Sequence, residues 1–137
     1  MNGFYAKDIE EKTKNNPNFR HVLYTGHNTQ LVLMSIAPGS EIGSEVHPEN
    51  DQFFRFEAGQ GEVTVDDQTY EVGDGSVVIV PAGAQHNVVN ISATESLKLY
   101  TLYSPPHHQD GIIRVTKEEA EANEADFDGV TTEQSAI

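Results

Sequence analysis

The chain has 137 residues, with 8 Lys and Arg against 22 Asp and Glu, a formal net charge of −14, and no cysteine. This length predicts one domain, and the acidic balance argues against nucleic-acid and anionic-membrane partners, which bind through clustered Lys and Arg. The absence of cysteine excludes disulfides and thiol chemistry, and no apolar run approaches the roughly 18 residues of a membrane helix. Because no signal peptide is evident in the acidic first twenty residues, we expect a cytoplasmic protein.

The chain begins with one predicted helix and continues as strands as far as residue 103. The helix lies between Ala6 and Asn15, because Pro17 disfavours helix at the residue before it. Runs rich in β-branched and aromatic residues then alternate with Gly, Pro and Asn turns, and they predict strands at 21–25, 30–36, 52–57, 62–65, 69–72, 76–80, 86–90 and 97–103. Many short strands of this kind indicate an all-β sandwich or barrel and not a parallel α/β sheet.

The C-terminal segment has a different composition. Thr116 and Glu119 have the spacing of a capping box, which predicts a helix from Lys117 to about Asn123. Residues 117–137 carry seven acids and one lysine, which is typical of a solvated helix followed by a mobile tail. We therefore divide the chain into a barrel with an N-terminal extension, residues 1–115, and an acidic helix and tail, residues 116–137, which form no separate domain.

One segment of the chain has a spacing of glycine, proline, histidine and asparagine that is known from a protein family. Gly75, Pro81, Gly83, His86 and Asn90 are separated by five, one, two and three residues. This spacing matches every fixed position of the second cupin motif, G-x5-P-x-G-x2-H-x3-N.

An earlier segment keeps the spacing of the first cupin motif, G-x5-H-x-H-x4-E-x6-G, at Gly39, Glu45, His47, Gln52 and Gly59. Glu45 stands where the motif has its first His, and Gln52 stands where it has Glu. The sequence therefore resembles a small single-domain cupin over roughly residues 30–105, of the uncharacterised, metal-binding kind. The resemblance implies a double-stranded β-helix, which is a jelly-roll barrel of two sheets.

The resemblance also implies a metal site in the barrel mouth, formed by Glu45, His47 and His86. Two imidazoles and one carboxylate bind divalent transition metals, and they have the composition of the facial triad of non-haem iron enzymes. Gln52 would be a weak ligand or would orient a bound water. The metal would be Fe, Mn, Ni, Zn or Co, and the sequence does not distinguish them. The alternative is a barrel without metal, in which both histidines are hydrogen-bonded core residues.

The direction in which these side chains point follows from the alternation of side chains between the two faces of a strand. Glu45 and His47 are two residues apart on a predicted strand and point to one face. If a turn before Gln52 lets it face the same way, Phe54 follows it inward and Arg55 faces away. By the same alternation Phe56 would face inward, and Phe53 and Glu57 outward.

A Pro-Pro-His-His segment follows the last predicted barrel strand. The default interpretation of His107 and His108 is a polar surface loop with two exposed imidazoles. The alternative is that the loop folds over the barrel mouth, where one histidine would act as general base or contact substrate. This alternative makes His107 and His108 candidate catalytic residues.

Three classes of function remain open. The first is a metal-dependent enzyme acting on a small molecule, by dioxygenase-like or by isomerase- or lyase-like chemistry. The second is a non-catalytic module that binds a small molecule or a metal, and the third is a packed barrel that serves only as a structural homodimer. Because we find no Arg or Lys at an expected inward position, we expect a neutral or cationic ligand. The family resemblance implies a homodimer through outer sheet faces, to which Phe53 and the N-terminal hairpin would contribute.

Overall fold

The computed structural model describes residues 1–135 and consists of short strands and helices joined by tight turns. The helices are α1 (Ile9–Lys14), α2 (Lys117–Ala122) and α3 (Thr132–Ser135). The strands are β1 (Arg20–Thr25), β2 (Gln30–Ile36), β3 (Glu45–Val46), β4 (Asp51–Ala58), β5 (Gly61–Val65), β6 (Gln68–Val72), β7 (Val77–Val80), β8 (Gln85–Asn90), β9 (Leu97–Ser104) and β10 (Ile113–Arg114). No helix within residues 1–135 is long and apolar enough to cross a membrane.

The strands form two antiparallel sheets. One sheet has the order β10-β1-β2-β9-β4-β7 and the other has the order β3-β8-β5-β6. Their inner faces meet in a common core, to which the larger sheet contributes Val32, Met34, Phe54, Phe56 and Leu99 and the smaller sheet contributes Val63, Val72 and Val88. The all-β, double-sheet architecture expected from the strand pattern is confirmed.

Alternation along β4 predicts most of its inner face correctly. Gln52, Phe54 and Phe56 are buried, at 2%, 0% and 0% exposure, and Arg55 is half-exposed. Glu57 differs from the expectation of an outward, exposed acid, because it is only 3% exposed and accepts a hydrogen bond from Arg55 Nε at 2.7 Å. Helix α1 lies against β4 and β9 on this side of the sheet. A covered outer face cannot be deduced from the alternation of a single strand.

Both predicted helices form, and each begins at a side-chain cap. Asp8 Oδ1 accepts a hydrogen bond from Glu11 N at 3.0 Å, so α1 is shorter than the predicted range. Thr116 Oγ1 accepts from Glu119 N at 3.1 Å, which confirms the predicted N-terminus of α2.

The acidic C-terminal segment packs onto the barrel and is not a free tail as far as residue 135. Thr132 Oγ1 accepts a hydrogen bond from Thr25 N and donates one to Asp110 Oδ1, both at 2.7 Å. The Glu133 carboxylate accepts from the Tyr24 hydroxyl at 3.1 Å and from two backbone N–H groups near the N-terminus. These contacts join both ends of the chain to β1. Residues 136 and 137 of the predicted tail lie outside the described residues.

Candidate metal centre and ligand pocket

Strand pairing brings the two cupin-motif segments together on the smaller sheet. β3 and β8 are antiparallel, and Glu45 lies directly opposite His86 in their register. His47 follows two residues after Glu45, and its carbonyl accepts a hydrogen bond from Gly83 N at 3.0 Å. The His47 and His86 rings are buried, with centroids 5.2 Å apart. The three side chains expected to meet therefore lie in one region.

The ring of His86 is held in one orientation by the backbone. Its Nδ1 lies 3.1 Å from the carbonyl oxygen of Ala84, so Nδ1–H donates and the lone pair stays on Nε2. Burial, followed by the charge of nearby His47, lowers the pKa of His86. A neutral imidazole whose second nitrogen donates to a carbonyl is the form in which histidine usually binds a metal.

His47 and Glu45 make a close contact. Glu45 Oε2 lies 2.9 Å from His47 Nε2, and apart from this contact the buried nitrogen has no hydrogen-bond partner within residues 1–135. Burial alone would raise the pKa of Glu45, but His47, His86 and Arg20 outweigh burial and hold that pKa below its usual range.

Gln52 approaches the same region from the larger sheet. Its Nε2 donates to Thr101 Oγ1 at 3.0 Å, which directs Oε1 away from that partner. In the described part of the chain, buried Oε1 has no hydrogen-bond partner. An unpaired buried acceptor costs about 1–3 kcal/mol, so this oxygen is poised for a donor or a cation.

The donor set fits a divalent transition metal in chemistry and burial. Two imidazole nitrogens and one carboxylate are suitable ligands, and two buried polar atoms of the region are unpartnered. However, no three His, Asp or Glu side chains among residues 1–135 form a ready-made ligand group. Glu45 therefore contacts His47, and His47 lies beside His86, but within residues 1–135 the three side chains do not form a complete metal-binding group.

The Pro-Pro-His-His loop covers the barrel mouth, and the interpretation of two exposed histidines is wrong. The His107 ring centroid lies 4.3 Å from that of His47, and the His108 ring meets Tyr103 edge-on at 5.0 Å. His107 is half-buried and His108 is only 7% exposed. The loop turns inward because partners far along the chain bind its backbone.

Gln30 is the main partner of this loop. Its Oε1 accepts hydrogen bonds from His107 N at 3.1 Å and His108 N at 2.9 Å, and its Nε2 donates to the His108 carbonyl at 2.7 Å. On the other side of the loop, Gln109 N donates to the carbonyl of Ala125 at 3.0 Å. The loop is thus fastened between β2 and the segment that follows α2.

Burial lowers the pKa of both histidines of the loop. Burial and the charge of His47 lower the pKa of His107, and burial lowers the pKa of His108 to about 2. Burial also raises the pKa of Tyr103, whose hydroxyl lies 3.3 Å from His108 Nε2. Both imidazoles are therefore harder to protonate than a free histidine.

A cavity of about 540 Å³ adjoins these side chains. Glu45, His47, His107 and His108 line one side of it, and α2 with residues 124–126 lines the other. Arg20 also lines it, contrary to the expectation that no Arg or Lys faces inward. The missed signal lies in β1, because Val22 is buried and alternation places Arg20 on the same face.

Comparisons with known proteins agree with this architecture. The family model for the cupin domain matches residues 32–103. The uncharacterized protein YrkC of Bacillus subtilis is 43% identical over 126 residues, which cover 88% of this chain and 67% of YrkC. The uncharacterized protein L612 of Acanthamoeba polyphaga mimivirus is 39% identical over 120 residues, covering 85% of this chain and 75% of L612.

A solved structure shares nearly the whole fold. The crystal structure of BH2720 from Bacillus halodurans superposes with a TM-score of 0.84 and 42% sequence identity, covering 87% of this chain and 94% of BH2720. The family model spans more than half of the residues, and the sheet order and both motif segments are as described above. The chain therefore belongs to the cupin family.

Proposed function

We propose that this cupin binds a divalent transition metal, one of Fe, Mn, Ni, Zn or Co, and acts on a small molecule in the barrel mouth. Glu45, His47 and His86 are the protein ligands, and Gln52 binds weakly or orients a water. The observation that carries the proposal is the convergence of three metal-binding side chains: Glu45 Oε2 lies 2.9 Å from the buried Nε2 of His47, and the His86 ring, whose Nδ1 is held by the Ala84 carbonyl, lies 5.2 Å from the His47 ring. Two imidazoles and a carboxylate in one place are ligands for a divalent transition metal.

Each side chain has a distinct task in this proposal. A bound metal supplies Lewis-acid chemistry and open positions for substrate. His107, an imidazole at the cavity wall, accepts a proton from the bound molecule. His108 lies deeper and is engaged with Tyr103, so it positions the loop more than it contacts substrate. Because the His107 imidazole borders the cavity, proton transfer of the isomerase or lyase kind is favoured over dioxygenase chemistry.

A binding module without turnover is the second candidate. The lack of a finished group of three donors within residues 1–135 favours it. The cavity of about 540 Å³ suits a small ligand in either case, since ligand pockets typically measure about 300–1,000 Å³. A purely structural barrel is the least supported class, because Phe54 and Phe56 are buried in the core and do not line this cavity.

Metal uptake tests the proposal directly. Protein stripped with a chelator is loaded with each of the five metals, dialysed and subjected to elemental analysis. We expect one equivalent in the wild type and in His27→Ala, a control at an exposed histidine, and far less in His86→Ala. His86→Gln keeps much of the side-chain volume and serves if the alanine variant does not fold. Trace metal in the wild type with all five metals, or full uptake by both His86 variants, would contradict the proposal.

Activity separates the two enzyme chemistries and the binding module. Iron-loaded protein is mixed with diols, thiols and keto acids while oxygen uptake is recorded. Parallel samples in deuterated water are followed by NMR for exchange of substrate C–H protons. Exchange that His107→Gln abolishes supports proton transfer, oxygen uptake supports dioxygenase chemistry, and neither signal supports the binding module.

We also propose that the protein is a homodimer that pairs through the outer face of the larger sheet. Leu31, Leu102, Phe53 and Ile79 are consecutive neighbours in the register of β2, β9, β4 and β7, and Ile79 is 63% exposed. Leu31, Phe53 and Leu102 are half-buried, and an apolar row that is partly exposed in this way can serve as an interaction surface. Sedimentation equilibrium of the wild type should give a dimer and that of Ile79→Lys a monomer, while Ile91→Lys, at an exposed isoleucine outside the row, stays dimeric. A monomeric wild type would contradict this proposal.

A further inference from the structure

Arg20 lies at the wall of the ligand cavity and forms no ion pair with any carboxylate within residues 1–135. Its Nε is buried and has no hydrogen-bond partner within residues 1–135. Its guanidinium carbon lies 5.5 Å from the centroid of the Phe19 ring. The guanidinium therefore adjoins an aromatic ring, and its own hydrogen-bond donors remain available.

The other two arginines of the chain are both engaged, so the state of Arg20 is a property of its position. Arg55 Nε donates to Glu57 at 2.7 Å, and Arg114 donates to the Asn123 carbonyl from Nε at 3.1 Å and from Nη2 at 2.8 Å. In a chain with 22 acids and 8 basic residues, partners for an arginine are abundant. A permanently charged group left unpaired in a cavity implies a partner that comes from solution.

None of the acids that line the same cavity forms an ion pair with Arg20, although the charge of Arg20 helps to lower the pKa of Glu45. The Glu45 carboxylate lies 2.9 Å from His47 Nε2, and the Glu121 carboxylate lies 4.0 Å from Lys117 Nζ. Glu124 and Asp126 line the cavity from its exposed side. The cavity thus has one unpaired cation beside the histidines and an acidic rim, a combination that accepts a compact single negative charge more readily than a doubly charged phosphate.

We propose that the small molecule bound in this cavity carries a carboxylate and that Arg20 binds it through its guanidinium fork. A guanidinium and a carboxylate match as two parallel charge-assisted hydrogen bonds, which gives orientation as well as affinity. The inference rests on the proposed function, because it names the ligand class of the same site. Arg20 itself needs no metal, so the two proposals can fail separately.

NMR of the arginine side chains tests the proposal in the intact protein. With three arginines in the chain, the Nε–Hε signals can be assigned from Arg20→Lys, Arg55→Lys and Arg114→Lys. Wild-type protein, stripped of metal or loaded with zinc, is titrated with acetate and with malonate. Acetamide, malonamide and sodium chloride at matched ionic strength are the controls, and inorganic phosphate is the competing anion.

We expect a saturable shift of the Arg20 signal with a carboxylate, at a Kd of about 1 mM or tighter, and none with the amides. The Arg55 and Arg114 signals should stay unchanged. Calorimetry should show carboxylate binding weakened about tenfold or more in Arg20→Met, the usual loss for charge-assisted hydrogen bonds. The wild-type titration is decisive even if that variant does not fold.

The proposal would be overturned if the Arg20 signal did not respond to acetate or malonate in either the metal-stripped or the zinc-loaded protein. An equal response to the amides or to chloride would overturn it as well. So would tighter binding of phosphate than of either carboxylate. A carboxylate response in protein that takes up no zinc would support Arg20 as the anion site and would count against the metal proposal. Zinc uptake without any carboxylate response would support the metal proposal and would count against Arg20 as the anion site.

Discussion

Gln30 is the side chain on which the closure of the barrel mouth depends. It has no exposed surface, lies on β2 opposite Tyr103, and makes four hydrogen bonds at 2.7 to 3.1 Å. Three of these go to the backbone of His107 and His108, and the fourth goes to Thr25 Oγ1 at 2.9 Å. The amide therefore joins the loop over the site to the inner face of the larger sheet.

We predict a large loss of stability from Gln30→Leu, a substitution that keeps the volume and removes every polar atom of the side chain. A hydrogen bond contributes about 1 kcal/mol net, and four of them give about 4 kcal/mol. Domains of this kind are stable by about 5–15 kcal/mol, so the change would remove a major share of that free energy. Because the loop can lift and expose its N–H groups to water, we expect His107 and His108 to leave the cavity in the folded variant.

Urea unfolding measures the loss of stability, and amide hydrogen exchange measures the opening of the loop. The chain has five tyrosines and no tryptophan, so far-UV circular dichroism and tyrosine fluorescence are the two optical probes. Gln109→Leu is the matched control, because Gln109 is an exposed glutamine in the same loop. Surface substitutions of this kind usually change stability by less than about 0.5 kcal/mol.

A loss of less than about 1 kcal/mol in Gln30→Leu, or a loss equal to that of Gln109→Leu, would refute this role of Gln30. Unchanged exchange rates of the His107 and His108 amides in the variant would refute it as well. Either result would mean that other contacts, such as that of Asn50 Nδ2 with the Pro105 carbonyl at 2.6 Å, hold the loop in place.

Two further predictions concern pH and backbone conformation. Burial lowers the pKa of His108 to about 2, so below pH 6.5 the unfolded chain binds a proton that the folded chain does not. The free energy of unfolding is therefore highest above that pH and falls by up to about 1.4 kcal/mol per pH unit below it. In urea titrations of metal-stripped protein, His108→Asn should flatten this slope. An unchanged slope would contradict the lowered pKa of His108. At Gly59, φ is +91° and a Cβ would lie 2.6 Å from the Ser96 carbonyl oxygen, whereas at Gly39 φ is +71° and the space is open. Thermal unfolding should show Gly59→Ala losing more than about 2 kcal/mol and Gly39→Ala about 1 kcal/mol, and equal losses would exclude the steric explanation.

Local patterns in the sequence predicted most of the strands and two of the three helices of residues 1–135, and β10 and α3 were not predicted. The alternation of Gln52, Phe54 and Phe56 identified the inner face of β4, and Thr116 with Glu119 identified the start of α2. The motif spacings selected polar residues that strand pairing does bring together, because a register such as that of Glu45 with His86 follows once the strands and turns are known. Asn90, the last residue of its motif, serves the fold, since its amide donates to the carbonyls of Ile36 and Glu95.

Contacts between distant parts of the chain lay beyond those patterns. Gln30 and His108 are 78 residues apart, and nothing near either residue indicates that their atoms meet. Three other features also depend on how distant parts of the chain pack. They are the burial of Glu57 beside Arg55, the turn of His107 toward His47 and the position of α2 in the same cavity wall as Arg20. The alternation of residues along a strand predicts the face of the sheet to which a side chain points. Which residues then cover that side chain depends on the packing of elements that are far apart in the sequence.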